Sequence, residues 1–106
     1  GGNVLNNGLI ENLPDEACVE VPCLVDGSGI TPCKVGKLPL QLAAMNSSNI
    51  YAQLLTIEAA ATLKKQYIYN AAMMDPLTGA ELNIKDIYAM VDELLEAHKE
   101  WLPQYE

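Results

Sequence analysis

The sequence predicts an α+β fold, with short antiparallel strands in the N-terminal third followed by about three helices. Three observations carry this. Before Pro39 the chain is punctuated repeatedly by Gly, Pro and Asn, with β-favouring stretches between them. From Leu40 to about Leu63 neither Gly nor Pro occurs, and Ala, Leu, Gln, Met and Glu dominate, which favours one long helix. Near the C-terminus, Ile84, Ile87, Tyr88, Val91, Leu94, Leu95 and His98 recur with the 3.6-residue period of a helix that buries one side.

The chain opens without Met, in what already reads as a strand, so a fragment or processed product is expected. Asn6-Asn7-Gly8 is a turn signal, because Asn tolerates and Gly prefers positive φ. After Leu9 and Ile10 re-enter apolar surroundings, Asn12-Leu13-Pro14-Asp15 breaks the chain again, with Pro14 removing a donor and biasing Leu13 away from helix. Ala17 to Val21 is a strand with Val19 and Val21 on one face and Cys18 and Glu20 on the other, and Pro22 suggests a sheet edge or a bulge. Cys23-Leu24-Val25 and the segment from Ile30 to Val35 form a hairpin around Asp26-Gly27-Ser28-Gly29. That loop lacks the glycine spacing of a phosphate cradle and opens no helix.

Pro39 suits the first position of the long helix. Inside that helix Asn46-Ser47-Ser48-Asn49 sets four poor helix formers together, and Asn46 and Asn49 share a face that either meets solvent or serves a polar cavity. A second helix runs from Tyr67 to Met74 and stops at Asp75-Pro76, and Asn83 caps a third through Asp86. The third helix carries Asp92, Glu93, Glu96, Lys99 and Glu100 opposite its apolar stripe and ends at Trp101-Leu102-Pro103. A lone His98 on that stripe reads as a core histidine before it reads as a catalytic base.

At 106 residues, half of them apolar, one compact unit is expected. Fourteen acids against six lysines, with no arginine, argue against nucleic acid as a partner, since phosphate contact needs clustered Lys and Arg. No apolar run approaches the ~20 residues that span a bilayer, and no membrane role is expected. Cys18, Cys23 and Cys33 lack the spacing of a zinc site and read as free thiols in a reducing cytoplasm. No nucleophile elbow, metal-ligating His pair or dinucleotide fingerprint is present, and Glu11, Asp15, Glu16 and Glu20 read as solvated acids more readily than as a glycosidase pair. No catalytic or metal-ligating residue is assigned.

Gly2-Asn3-Val4, Asn6-x-Gly8-x-Ile10-x-Asn12-Leu13-Pro14-Asp15 and Cys18-Val19-Glu20-Val21-Pro22 together resemble the C-terminal part of the family 4 glycoside hydrolases, in their alpha-galactosidase (melibiase) branch. Leu38-Pro39, the run from Ala44 to Asn49, Glu58-Ala59-Ala60, Asp75-Pro76-Leu77, and Val91 to Leu95 leading into His98 and Trp101-Leu102-Pro103 extend the resemblance over nearly the whole chain. Leu63-Lys64 departs from the family's Gly-Asp turn between two helices, which would straighten the break.

The resemblance implies residues 1–106 of a single C-terminal domain whose N-terminal, lactate-dehydrogenase-like, dinucleotide-binding half lies elsewhere. It implies an enzyme that uses NAD and manganese to hydrolyse an α-glycoside by oxidation at C3, loss of the C2 proton, elimination, addition of water and return of the hydride. The family's cofactor loop, metal-binding Cys and His, and catalytic base precede this region, so Cys18, Cys23, Cys33 and His98 inherit none of those roles, and neither NAD nor manganese is expected to bind this chain alone. By similarity the segment completes the substrate pocket and the subunit contacts of a homo-oligomer. Asn6 is then the first candidate to touch a sugar hydroxyl, since an amide both donates and accepts, and Asn46 is the second. A free-standing, non-catalytic interaction or small-ligand module is the other reading that the residues leave open.

Overall fold

Antiparallel pairing begins at the second residue. In the computed structural model, which describes residues 1–106, β1 (Gly2–Leu5) pairs with β2 (Cys18–Val21) in the register Gly2 to Val21 through Leu5 to Cys18. Val19 and Val21 are buried while Cys18 and Glu20 are exposed, as the alternation predicts. Past Pro22, β3 (Cys23–Asp26) and β4 (Gly29–Pro32) make a separate two-stranded sheet around Gly27 and Ser28. The Asp26 carboxylate accepts from the Ser28 hydroxyl and from its N–H at 2.9 Å, and these bonds hold its pKa below the usual range. Leu24, Val25 and Ile30 stay exposed on this ribbon.

The packing resolves into two compact units, residues 1–47 and 48–106, where length alone predicts one. In the first, Ile10, Leu13, Ala17, Val19, Val21 and Ala43 are buried. In the second, Tyr69, Ile87 and Val91 form a core against which Ile68, Ala72, Met73, Leu82, Tyr88, Met90 and Leu95 pack.

Four helices follow the strands: α1 (Leu40–Thr62), α2 (Lys65–Met74), α3 (Pro76–Glu81) and α4 (Ile84–Ala97). α1 has the expected limits and includes the polar quartet. The break that Leu63-Lys64 was expected to straighten is kept. Leu63 adopts φ +57° and Lys64 is extended, so the chain turns out of the helix without the family's glycine. Glu106 stabilises this corner, its N–H donating to Leu63 O at 2.9 Å and its carbonyl accepting from Lys65 N at 2.7 Å.

α3 is absent from the helices that the sequence predicts. Asp75-Pro76 does end α2, but Asp75 also caps α3, its Oδ2 accepting from Thr78 N at 2.9 Å with Pro76 in the first turn. That backbone bond holds the Asp75 carboxyl below its ordinary pKa. A Cβ on Gly79 would come within 2.8 Å of Met73 O, so the tight α2–α3 corner needs a glycine there.

Asn83 caps α4 as predicted, its Oδ1 accepting from Asp86 N at 2.8 Å. The apolar stripe is buried only in its middle, at Ile87 and Val91, whereas Ile84 at the first turn is 65% exposed. His98 corrects the core-histidine reading. It is the C-cap of α4, with φ −107° and ψ 10°, and it is exposed.

Candidate functional site

Residues 6–15 leave β1 and return to β2 as an irregular loop whose backbone polar groups need partners that no strand supplies. Asn6 N donates to Ala17 O at 2.8 Å and Asn7 N to Asp15 O at 3.1 Å, which extends the β1–β2 pairing into the loop. Asn7 at φ 41° and Gly8 at φ 85° then form the turn that Asn6-Asn7-Gly8 predicts, closed by Leu9 N on Asn6 O at 2.8 Å.

The Asn6 side chain is fully buried at the centre. Its Nδ2 donates to Ile10 O at 2.9 Å, Leu13 O at 3.0 Å and Pro14 O at 3.0 Å, and its Oδ1 accepts from Ile10 N at 2.7 Å. One amide therefore satisfies four backbone groups of the loop. Both its N–H groups are committed inside the protein, and no face of it is open to a ligand.

A second seam ties the outer side of the loop to the segment before α1. Leu9 O accepts from Val35 N at 2.8 Å and Gly36 N at 3.2 Å, and Glu11 N donates to Gly36 O at 2.9 Å. This forms a short parallel bridge between Ile10 and Gly36. The Asn12 amide continues it, with Nδ2 donating to Leu38 O and Oδ1 accepting from Leu38 N, each at 2.9 Å. Asn12, which the sequence alone reads as part of a chain break and not as a site residue, thus does for two distant segments what Asn6 does within the loop. An Asn between a turn signal and a Leu-Pro pair was the available clue.

The exposed rim consists of Asn7, Glu11, Asp15 and Glu16, and Lys34 lies 3.2 Å from the Glu11 carboxylate. Such a rim is rich in acceptors and carries no arginine. Asn46 lies on α1, exposed as its polar surroundings suggest, and the Asn6 amide makes none of its bonds to it. Asn49, on the same helix, lines an open hollow of mixed polarity with Ala52, Gln53, Thr56, Ala71 and Asp75.

In the second unit, Thr56, Ala59, Ile68, Leu95, His98 and Tyr105 are among the residues around an apolar hollow of about 310 Å³. Beside it Tyr69 stacks on Tyr88, with ring centroids 4.1 Å apart, and donates its hydroxyl to Asp92 Oδ1. That bond, reinforced by burial and the charge on Asp92, pushes the Tyr69 pKa up to about 12.

The groups that the family resemblance implies, NAD and manganese, find no ligand set in these residues. No three His, Cys, Asp or Glu side chains converge, and Cys23 donates its thiol to Val21 O. At the hairpin turn the Asp26 carboxylate already occupies the Ser28 amide and hydroxyl that a phosphate would need.

The sequence profile described as the Family 4 glycosyl hydrolase C-terminal domain matches residues 1–78. An alpha-galactosidase of Bacillus subtilis (strain 168) is 61% identical over 105 residues, covering 99% of this chain and 24% of that protein. An alpha-galactosidase of Rhizobium meliloti (strain 1021) is 40% identical, over 97% of this chain and 21% of that protein. Among solved structures, a 6-phospho-alpha-glucosidase from gut microorganisms, in complex with NAD and glucose-6-phosphate, superposes with a TM-score of 0.86 at 29% identity, covering 98% of this chain and 23% of that one. The 6-phospho-beta glucosidase of Thermotoga maritima with manganese, NAD+ and glucose-6-phosphate gives 0.79 at 30% identity, covering 96% and 24%. The chain therefore spans about a quarter of the length of the relatives it matches. On its sequence match and its fold, the chain belongs to the C-terminal domain family of the family 4 glycosyl hydrolases.

Proposed function

We propose that this chain is the C-terminal, pocket-completing and subunit-contacting portion of a cytoplasmic, homo-oligomeric α-galactosidase that uses NAD and manganese and hydrolyses its substrate by oxidation at C3, elimination and return of the hydride. The observation that carries this reading is the 61% identity to an alpha-galactosidase along 99% of the chain. The acidic, arginine-free rim of the 6–15 loop favours an unphosphorylated sugar over the phosphorylated ones named for other relatives. The N-terminal half of the same enzyme would supply the cofactor and metal ligands, since none converge in this chain. Of the two residues singled out from the sequence, Asn46 is the one free to touch a sugar hydroxyl. Asn6 would act on the pocket by holding the loop.

The test is to assay the full-length protein against an α-galactoside and a 6-phospho-α-glucoside, with and without NAD and Mn²⁺, in D₂O. The reading expects hydrolysis of the α-galactoside that needs both cofactors and leaves deuterium at C2 of the product. Cofactor-independent hydrolysis, or a preference for the phosphorylated sugar, would contradict it.

A further inference from the structure

We propose that Asn12 is a positioning residue for sugar binding, because its side-chain amide sets the direction in which the first turns of α1, through Asn46, leave the loop of residues 6–15. The inference rests on the reading that this segment completes a sugar pocket. Leu38 is the last residue before α1 that can offer both a backbone donor and an acceptor, since Pro39 has no N–H. Pro39 itself opens the helix, its carbonyl accepting from Leu42 N and Ala43 N at 3.0 Å each. Both polar groups of Leu38 go to the one Asn12 amide, at 2.9 Å in each direction and partly buried. The backbone rungs of the parallel seam involve Leu9, Glu11, Val35 and Gly36 and go no further, so Asn12 supplies the next rung toward the helix.

Asn46 stands six residues into α1, roughly 9 Å along the axis from its start at 1.5 Å per residue. A tilt of about 10° at the Leu38-Pro39 pivot would carry it between 1 and 2 Å sideways, a displacement large enough to lose an oriented hydrogen bond. Asn12 would thus govern the fit of the sugar without touching it. Its loss would be felt in binding more than in the chemical step, for which this chain supplies no ligand set.

The experiment uses the full-length enzyme and an α-galactoside. Asn12→Ala is expected to speed amide exchange at Leu38 and to raise KM about tenfold with kcat within about twofold. Asn12→Asp keeps the acceptor for Leu38 N–H and loses the donor. It is expected to fall between the parent and Asn12→Ala, and it keeps the test open if the alanine variant folds poorly. The deciding readout is coupling: in an Asn46→Ala background, Asn12→Ala should raise KM little further, because the group it positions is gone. Full additivity of the two KM effects, or an Asn12→Ala enzyme with a freed Leu38 amide and unchanged KM, overturns the positioning role while leaving the proposed activity standing. A parent enzyme that folds but hydrolyses no α-galactoside overturns the proposed activity, and the positioning role with it.

Discussion

Replacing Asn6 with alanine would remove one acceptor and two donors from the middle of the 6–15 loop, leaving Ile10 N–H and Leu13 O without a partner, while Ile10 O keeps Leu13 N–H at 3.4 Å and Pro14 O keeps Ala17 N–H at 3.2 Å. Each such group costs about 1 to 3 kcal/mol when buried unsatisfied, and neighbouring losses are not additive, so a destabilisation of roughly 3 kcal/mol or more is expected. Chemical denaturation of the variant measures it, and a loss below about 1 kcal/mol would mean that water replaces the amide at no great cost. Tyr69 gives a second prediction at this scale. Its hydroxyl is held by Asp92, and its pKa is raised to about 12 from an ordinary value near 10. The folded state therefore binds this proton more tightly than the unfolded state. The stabilisation is complete below pH 10 and is lost as pH rises through 12. Comparing denaturation of the parent and Tyr69→Phe from pH 9 to 12 should show the parent's advantage shrinking toward the top of that range, whereas parallel curves would remove the linkage. Asn6 was legible in the sequence as important, but not in its role. An Asn before Gly announces a turn, yet whether its amide faces inward or outward depends on Ile10, Leu13 and Pro14 curling around it, which no local pattern encodes. Asn12 was illegible for a like reason, because its partner Leu38 is 26 residues away.

At the scale of elements, period and punctuation predicted most of what formed. The β2 alternation, the limits of α1 and the Asn83 cap all depend on neighbours within a few residues, and all appear where expected. The failures lie where a long-range contact overrides a local preference. Leu63 is a poor left-handed residue, and the sequence argues for a straight helix through it. The Glu106 backbone, bonded to Leu63 O and Lys65 N, stabilises the corner instead. A left-handed non-glycine residue costs about 1 to 2 kcal/mol, so Leu63→Gly is expected to raise stability by about 1 kcal/mol, with the Glu106 bonds retained. A calorimetric melting temperature that falls instead would mean that Leu63 packing outweighs its strain. α3 was missed because Asp75-Pro76 was read only as a stop, although the same pair, with Asp as cap and Pro in the first turn, also starts a helix. His98 was misplaced because the stripe was taken as buried along its whole length, whereas Ile84, Leu94 and His98 towards its ends are exposed.

At the scale of the molecule, Leu24, Val25 and Ile30 on the hairpin and Leu40, Met45, Tyr51 and Ile57 on α1 are exposed large apolar residues. The chain spans about a quarter of its relatives' length. On the proposed function, these 106 residues can stand in for the matching segment of an alpha-galactosidase. The most direct test is a graft of residues 1–106 in place of the matching segment of the Bacillus subtilis alpha-galactosidase, with kcat/KM on an α-galactoside measured alongside NAD and Mn²⁺ binding. The proposed function predicts a folded chimera that binds both and keeps its efficiency within about tenfold, the equivalent of ~1.4 kcal/mol in transition-state stabilisation. A folded chimera that binds NAD and Mn²⁺ yet hydrolyses no α-galactoside would contradict it.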